Sequence, residues 1–378
     1  MKNSARLAAV GGLAVAATAV LGGTSLAATR QPAGSSAGQV FVQTDNTSGN
    51  AIVVYDRSSD GTLQQAGTYQ TGGLGGVQGG SVVDHLASQG SLVFDREHGL
   101  LYAVNAGSNT VTVFSVNGDQ LVRHQVIGSG GTFPTSIAVH GNLVYVLNAR
   151  DGGSVQGFLR AGDKLVSMPA WHRSLGLKTG LTPEFANTPG QVAFTPEGSQ
   201  LIVTTKSNGN DINVFAVSPD GGLSAKPVVN SDPGNQPFAV TFDAGGHLVV
   251  AEAVSNTVAT FTLHANGSIT LVNRVATGQK ASCWITEDGT AFFTGNALSN
   301  SVSGFSDSSS GTPQSLGNTA TDPGTVDGAA SADGSSLYVQ TGGKGIVDEF
   351  RVNPGGSLTE IGSVTVPGAV GGEGIATS

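Results

Sequence analysis

The sequence predicts an all-β fold made of seven repeated four-stranded antiparallel sheets, the architecture of a seven-bladed β-propeller. Three observations lead to this prediction: a repeated strand pattern, recurrent hairpin turns, and complementary termini. In the repeat, a β-branched or aromatic strand is followed by a short turn and a second strand that ends in an aromatic residue. The separations between these aromatics are 59, 44, 57, 46, 44 and 45 residues. The seven aromatics are Tyr55, Phe114, Phe158, Phe215, Phe261, Phe305 and Phe350.

One repeat, residues 91–127, illustrates the four strands of a blade, which we predict at 91–94, 101–105, 110–116 and 120–127. Asx-Gly or Glu-Gly pairs separate such strands along the chain, for example Asn117-Gly118 and Asp288-Gly289. Asx-Gly pairs are the strongest short-range hairpin signal because both turn positions favour positive φ. No long stretch keeps a helical period, so helices should be rare.

The termini supply the third observation. The first repeat begins abruptly at residues 39–42 without an inner strand, and residues 374–377 follow a complete seventh repeat. We therefore predict that the C-terminal strand completes the first blade and closes the ring, which removes exposed sheet edges. A pair of β-sandwiches is the alternative, but it explains neither the number of repeats nor the missing strand.

The N-terminus resembles an export signal. Lys2 and Arg6 precede an apolar run over residues 7–21, and Ser25-Leu26-Ala27 forms a small-x-small cleavage site. We expect a signal peptide over residues 1–28 that is cleaved near Ala27 or Ala28, a flexible linker over residues 29–38, and a propeller over residues 39–378 of a secreted protein. An uncleaved membrane anchor is the alternative.

Composition restricts the possible partners. The formal charge is −9, the isoelectric point is near 5.1, and no run of Lys or Arg follows the leader. These features argue against nucleic acid, and against a membrane once the leader is removed. We expect a monomer that meets a small-molecule lactone or another extracellular ligand. Cys283 is the only cysteine, so no internal disulfide can form, and its apolar context predicts a small buried side chain.

Two long connections, residues 71–90 and 168–189, enter the second and fourth blades. Both should lie on the same face, because in an antiparallel blade every connection to the next blade leaves from one side. Functional residues concentrate in such loops. In them His85 or His172 is a candidate general base, Arg173 a candidate oxyanion partner and Glu184 a candidate orienting acid. Asp84, Trp171, Lys206 and Glu252 are candidate binding residues.

The alternative for these residues is that they only solvate surface loops, with Trp171 holding one loop down. Lys206 and Glu252, at the ends of second strands, either line the channel or are exposed. No His pair has the spacing of zinc ligands and no calcium-loop pattern occurs, so we expect neither a metal nor a cofactor.

Three segments, residues 88–91, 103–109 and 278–284, resemble the lactonase-like seven-bladed propellers, the group of 6-phosphogluconolactonase and the carboxymuconate-cyclase relatives. The resemblance covers residues 38–378 and implies the same fold and a lactone-opening activity. It also implies an Arg-His pair that enters an inner strand, whereas this chain has Pro134-Thr135, Pro189-Gly190-Gln191 and Pro237-Phe238 there. No catalytic residue is therefore carried over from the family.

Two functional hypotheses follow. The first is a secreted lactonase-like hydrolase that opens a lactone or cyclic ester at the channel mouth. The second is a non-catalytic extracellular propeller that binds a polysaccharide, peptide or protein. Redox chemistry on a bound quinone is a third possibility, but no cofactor signature supports it.

Overall fold

The computed structural model describes residues 36–378, which form seven antiparallel sheets in a ring. The predicted signal peptide and most of the predicted linker lie outside the described residues. The strands of blades 1 to 3 are β1 (Gln39–Gln43), β2 (Ala51–Arg57) and β3 (Leu63–Gln70) in blade 1; β4 (Leu92–Asp95), β5 (Leu100–Asn105), β6 (Thr110–Asn117) and β7 (Gln120–Gly128) in blade 2; and β8 (Pro134–His140), β9 (Leu143–Asn148), β10 (Ser154–Ala161), β11 (Lys164–Ser167) and β12 (Arg173–Ser174) in blade 3.

The remaining strands are β13 (Pro189–Phe194), β14 (Gln200–Thr205), β15 (Asp211–Ala216) and β16 (Val228–Ser231) in blade 4; β17 (Pro237–Phe242), β18 (Leu248–Glu252), β19 (Thr257–Leu263) and β20 (Ile269–Ala276) in blade 5; β21 (Ser282–Glu287), β22 (Ala291–Asn296), β23 (Ser301–Ser306) and β24 (Ser315–Ala320) in blade 6; β25 (Thr325–Ala330), β26 (Ser336–Thr341), β27 (Ile346–Val352) and β28 (Leu358–Thr365) in blade 7; and β29 (Ile375–Thr377), which returns to blade 1. The described residues also contain 3-10 helices at Ala106–Ser108 and Pro169–Trp171 and one short α-helix, Glu184–Asn187.

The predicted ring closure is confirmed. Strand β29 pairs antiparallel with β1, with Val42 opposite Ile375 and Val40 opposite Thr377. The C-terminal strand is thus the inner strand of blade 1. The last residue adds to this closure, because the main-chain N–H of Gln39 donates to Ser378 Oγ at 2.7 Å.

The core consists of seven separate apolar clusters, and each fills the space between two adjacent blades. The seven aromatics of the sequence repeat all lie in third strands and are buried in these clusters. Each blade therefore has apolar residues on both faces, which explains why its two central strands have nearly continuous hydrophobic sequences. The repeat in the sequence is the repeat of this packing.

The direction of the strands defines two faces. We call the upper face the one that carries the turns between second and third strands and the connections from one blade to the next. The lower face carries the other two sets of turns, including the predicted Asx-Gly and Glu-Gly pairs, in which Gly118 and Gly289, for example, have positive φ. No helix among residues 36–378 is long and apolar enough to cross a membrane.

The two long connections differ in how far they reach over the upper face. The connection over residues 71–91 packs closely across it, and a Cβ on Gly75 would lie 2.0 Å from Asp45 O. The second connection first continues the outer edge of blade 3, because β11 pairs with the lower half of β10 and β12 with its upper half. Only its later part, from about residue 175, reaches the upper face, where Gly79 N donates to Glu184 Oε2 at 2.6 Å.

Candidate active site

Five ionisable side chains from different parts of the ring converge at the upper end of the channel. We call Asp45, Asp84, Lys206, Asp327 and Glu373 the carboxylate–lysine cluster. Asp45 follows β1, Asp84 lies in the connection to blade 2, Lys206 follows β14, Asp327 lies in β25, and Glu373 precedes β29. Their charges influence one another, and elements so far apart around the ring can approach one another only near its axis. All except Asp84 are buried.

Glu373 is the most constrained member of the cluster. Ser88 donates to its carboxyl group twice, through the hydroxyl to Oε1 at 2.9 Å and through the main-chain N–H to Oε2 at 3.0 Å. The main-chain N–H of Glu373 donates to Asp45 Oδ2 at 2.7 Å, and Gln43 Nε2 donates to Asp45 Oδ1 at 2.6 Å. The loop that precedes β29 is thereby fixed to the connection that enters blade 2.

The carboxyl groups of Asp84 and Glu373 are neighbours: burial raises the pKa of both, and their proximity raises that of Glu373 further while it opposes the rise for Asp84. Two neighbouring carboxylates repel each other, which favours a proton on one member of the pair. Asp84 accepts a hydrogen bond at 2.6 Å from the main-chain N–H of Ala87. Asp84 keeps some solvent exposure, whereas Glu373 has none. Asp84 is therefore the member that solvent can reach.

Lys206 extends across the channel to the connection over residues 71–91, which carries Asp84. Its ammonium group donates a hydrogen bond to Ala87 O and lies 5.1 Å from the centre of the Phe238 ring. Among residues 36–378 this carbonyl is its one hydrogen-bond partner, which leaves two ammonium hydrogens for another acceptor. Burial lowers the pKa of Lys206 to about 8, and the charges of Asp84 and Glu373 oppose that shift.

Burial also sets the protonation of the carboxyl groups. It raises the pKa of Asp45 to about 8 and that of Asp84 to about 6, and it raises the pKa of Glu373 well above the ordinary value of a glutamate. At pH 7 Asp84 is therefore mainly ionised and Asp45 mainly protonated, and the raised pKa of Glu373 favours its protonated form. Lys206, with its pKa of about 8, is mainly charged. The cluster then presents a carboxylate, an acid and an ammonium group together.

The channel below the cluster is bridged by Gln89. Its side chain donates from Nε2 to Ile285 O at 2.7 Å and accepts at Oε1 from Ile285 N at 2.8 Å. These two hydrogen bonds join the connection before blade 2 to blade 6 across the axis of the ring. Cys283 keeps some solvent exposure and lies near Lys206. Burial raises the pKa of its thiol to about 12, so Cys283 is not a thiolate nucleophile at neutral pH.

The structure places His85 beside the cluster. Its main-chain N–H donates to Gly371 O at 2.9 Å, and its ring leaves no room for a Cβ on Gly371. Burial lowers the pKa of His85, so the imidazole is neutral at pH 7. Its Nδ1 is buried without a hydrogen-bond partner among the described residues. The His85 ring thus packs the connection that carries Asp84 against the loop that carries Glu373.

Glu184 joins the two long connections. Arg150 Nε donates to Glu184 Oε1 at 2.5 Å, and this hydrogen bond lowers the pKa of the carboxyl group. Arg150 also lies 4.1 Å from the centre of the Phe133 ring. It therefore pairs with Glu184, whereas its sequence neighbour Asp151 accepts a hydrogen bond from Thr132. A small cavity of about 80 Å³ lies beside this pair on the upper face.

The structure does not bring Trp171, His172 and Arg173 to the cluster. Trp171 is buried at the outer edge of blade 3 and stacks on Tyr145. The guanidinium of Arg173 binds main-chain carbonyl groups of blade 4, including Ser224 O at 2.9 Å, and His172 is exposed. These three residues lie here because the outer strand of blade 3 resumes at β12 before the chain crosses to the upper face.

Lys206 and Glu252, for which the sequence left two positions open, have different surroundings. Lys206 is not exposed but fully buried, with its ammonium group against Ala87 O and the Phe238 ring. Glu252 is also buried, but Arg274 Nε and Nη2 each donate to it at 2.7 Å, and Arg274 Nη2 in addition donates to Asp232 at 2.9 Å. Because Arg274 belongs to the outer strand β20, this network stabilises blade 5 away from the cluster.

Sequence reasoning missed Asp45, Asp327, Glu373, Ser88 and Gln89. Asp327 carried a usable signal, because an acidic residue in an inner strand must face the channel or a blade interface. Asp45 and Glu373 resembled ordinary loop acids in the sequence. Asp45 and Glu373 are 328 positions apart in the sequence and come together because ring closure places β29 beside β1.

No protein-family model and no curated protein sequence matches the chain. Solved structures do match. A candidate 6-phosphogluconolactonase from Bacteroides fragilis aligns with a TM-score of 0.73 at 18% identity, over 90% of this chain and 98% of its own. The periplasmic gluconolactonase PpgL of Pseudomonas aeruginosa aligns with a TM-score of 0.70 at 19% identity, over 90% and 98%. The chain has the fold of the lactonase-like seven-bladed propellers.

That fold is not restricted to proteins named for lactone opening. Virginiamycin B lyase from Staphylococcus aureus aligns with a TM-score of 0.53 at 14% identity, over 76% of this chain and 87% of its own. At these identities the similarity shows a shared fold, and function must be argued from the site. The resemblance read from the sequence is confirmed at this level.

Proposed function

We propose that this protein is a lactonase-like hydrolase that opens a lactone or a related cyclic ester at the carboxylate–lysine cluster. The observation that carries the proposal is the convergence of the Asp84 and Glu373 carboxyl groups beside Lys206, whose ammonium group donates to Ala87 O alone among the described residues. Ester hydrolysis needs a base for water, a cation or donor for the oxyanion, and an acid for the leaving alkoxide. The cluster contains one group suited to each role.

In the proposed reaction, the Asp84 carboxylate accepts a proton from water as the water oxygen bonds to the lactone carbonyl carbon. The Lys206 ammonium stabilises the oxyanion that forms. The ring C–O bond then breaks, and the alkoxide takes the proton that Asp84 gained from water. Lactone and water are consumed, a hydroxy acid is formed, and the site returns to its first state.

His85 enters this proposal as a positioning residue. Its ring packs against Gly371, two residues before Glu373, and its backbone is continuous with Asp84. His172, Arg173 and Glu184 have no direct role in it, because they lie at the outer edge of blade 3 or bind Arg150. We also propose that the protein acts outside the cytoplasm. The leader pattern of residues 1–28 and the fold shared with a periplasmic gluconolactonase support this location.

The test is hydrolysis of a panel of γ- and δ-lactones followed by acid release in a pH-stat. Three variants are compared with the parent: Asp84→Asn, Lys206→Met, and His172→Ala as the matched control. Asp84→Asn should lower kcat at least 100-fold because the amide cannot accept the proton. Lys206→Met keeps the length of the side chain and should also lower kcat, whereas His172→Ala should keep parental turnover.

Two results would contradict the proposal. Full turnover in folded Asp84→Asn and Lys206→Met, with loss in His172→Ala, would move the site to the outer edge of blade 3. A parent that opens no lactone in the panel would favour the non-catalytic binding propeller. Thermal melts of each variant separate loss of chemistry from loss of fold.

A further inference from the structure

The most exposed aliphatic side chains of the described residues all lie on the upper face. They are Val82, Leu298, Val370 and Val254, which are 81%, 74%, 60% and 56% exposed. Single exposed aliphatic residues are common on soluble proteins and need no explanation. The three most exposed aliphatic side chains of residues 36–378 share one face, and Val254, about as exposed as Val229 on an outer strand (55%), lies on that face as well.

These residues belong to neighbouring loops that are connected by hydrogen bonds. Asn256 Oδ1 accepts from Ala281 N, and Asn300 Oδ1 accepts from Gly324 N. Main-chain bonds continue from residue 342 to residue 324 and from residue 371 to residue 342, and His85 N donates to residue 371. The aliphatic residues therefore lie along one continuous arc over blades 5, 6, 7 and 1, on the side that the second long connection leaves uncovered.

Exposed cations lie in the same loops. Lys280 is in the connection before blade 6, where its carbonyl accepts from Leu298 N at 3.3 Å, and Lys344 is in the upper turn of blade 7. We call Val254, Lys280, Leu298, Lys344, Val370 and Val82 the upper-face arc. Within the arc loops two acids, Asp84 and Asp322, retain partial exposure, whereas Glu252 and Asp232 near Val254 are bound by Arg274.

The lower face has the opposite character. Its turns expose five acids against two cations, Arg96 and Lys226. The acids are Asp60, Glu97, Glu197, Asp220 and Asp333. The net charge of −9 is therefore distributed unevenly, and at physiological ionic strength charges act over only about 8 Å, so each face interacts according to its own residues.

We propose that the upper-face arc docks the protein on the surface of an anionic lipid bilayer. Exposed aliphatic side chains next to lysines match an interface in which acyl chains lie beneath negatively charged headgroups. The sequence argued against such a partner because it contains no run of Lys or Arg; Lys280 and Lys344 are 64 residues apart and become neighbours in one arc only through the fold. This proposal is independent of the proposed hydrolase activity.

The test is co-sedimentation of the full chain with vesicles of phosphatidylcholine alone or with 30% phosphatidylglycerol. The parent should bind the anionic vesicles and lose binding as salt is raised. Removing both arc lysines, Lys280→Gln with Lys344→Gln, should weaken the partition constant by about five-fold per lysine. Leu298→Ser with Val370→Ser should weaken binding to both vesicle types. The controls are Lys226→Gln on the lower face and Val229→Ser on the outer edge, and both should bind like the parent.

A second measurement identifies the contacting face independently of any contribution from residues 1–35. An environment-sensitive dye on Leu298→Cys should shift its emission to the blue with anionic vesicles, whereas the same dye on Val229→Cys should not; labelling uses the Cys283→Ser background. Equal shifts at both positions, or equal loss of binding in the arc and control variants, would overturn the proposal. Absence of binding to anionic vesicles would overturn it as well.

Discussion

Asp45 should make the stability of the propeller depend on pH, and Asp45→Asn should remove the part of that dependence that this carboxyl group causes. The carboxyl group is fully buried, and burial raises its pKa from 3.8 to about 8. Between these two values the folded protein holds a proton that the unfolded chain releases, so stability falls as pH rises. Linkage between pH 5 and pH 8 gives a loss of about 4 kcal/mol from this group alone.

Asparagine has nearly the shape of the protonated carboxyl group and cannot ionise. Its amide can accept the hydrogen bond of Glu373 N and donate to Gln43 Oε1, which has no partner among the described residues. Asp45→Asn should therefore be less stable than the parent by at most about 1 kcal/mol at pH 5, the cost of one altered hydrogen bond. At pH 8 it should be more stable than the parent.

Urea denaturation at pH 5, 6, 7 and 8 provides the measurement, with Asp151→Asn on the exposed upper turn as the matched control. The parent and Asp151→Asn should lose stability with the same slope, and Asp45→Asn should lose about 4 kcal/mol less over this range. Equal slopes for the parent and Asp45→Asn would refute the reasoning, because Asp45 would then ionise in the folded protein without cost.

Three further outcomes follow from other parts of the ring. Gln89→Ala should lower stability by about 2–4 kcal/mol in urea denaturation, because both main-chain groups of Ile285 lose their partner; it should also speed the reaction of Cys283 with a maleimide. Trp171→Ala should cost about 3–5 kcal/mol by calorimetry, since it removes a buried aromatic between blades 3 and 4. Deletion of residues 375–378 should abolish cooperative unfolding monitored by circular dichroism, because blade 1 loses its inner strand.

The blades could be predicted from the sequence because each one is a local structure. Hairpin turns such as Asn117-Gly118 and the third-strand aromatics such as Phe114 report contacts within about 45 residues. The four strands predicted over residues 91–127 begin and end within one residue of those observed. Ring closure was also predictable, because one missing inner strand at the start matched one additional strand at the end.

The second long connection was predicted less well, for a physical reason. Its first residues read as the start of a loop because Met168 and Pro169 interrupt the strand pattern after β11. In the structure a 3-10 turn bridges this interruption, Trp171 fills the space against Tyr145, and pairing with β10 resumes at Arg173. Packing between blades decides that outcome, and no local pattern encodes it.

The candidate site was the least predictable part, because it is assembled by closure of the ring. A loop acid in a sequence has the same appearance whether its carboxyl group faces solvent or the channel. Asp45 lies in such a loop, but the main-chain N–H of Glu373 and the amide of Gln43 bind it in a space that water does not reach. The same closure places Glu373 against Ser88 and Asp84 and sets their protonation. A search for function in such propellers should therefore begin with the acidic residues that flank the closing strand, and then ask which of them a buried cation such as Lys206 approaches.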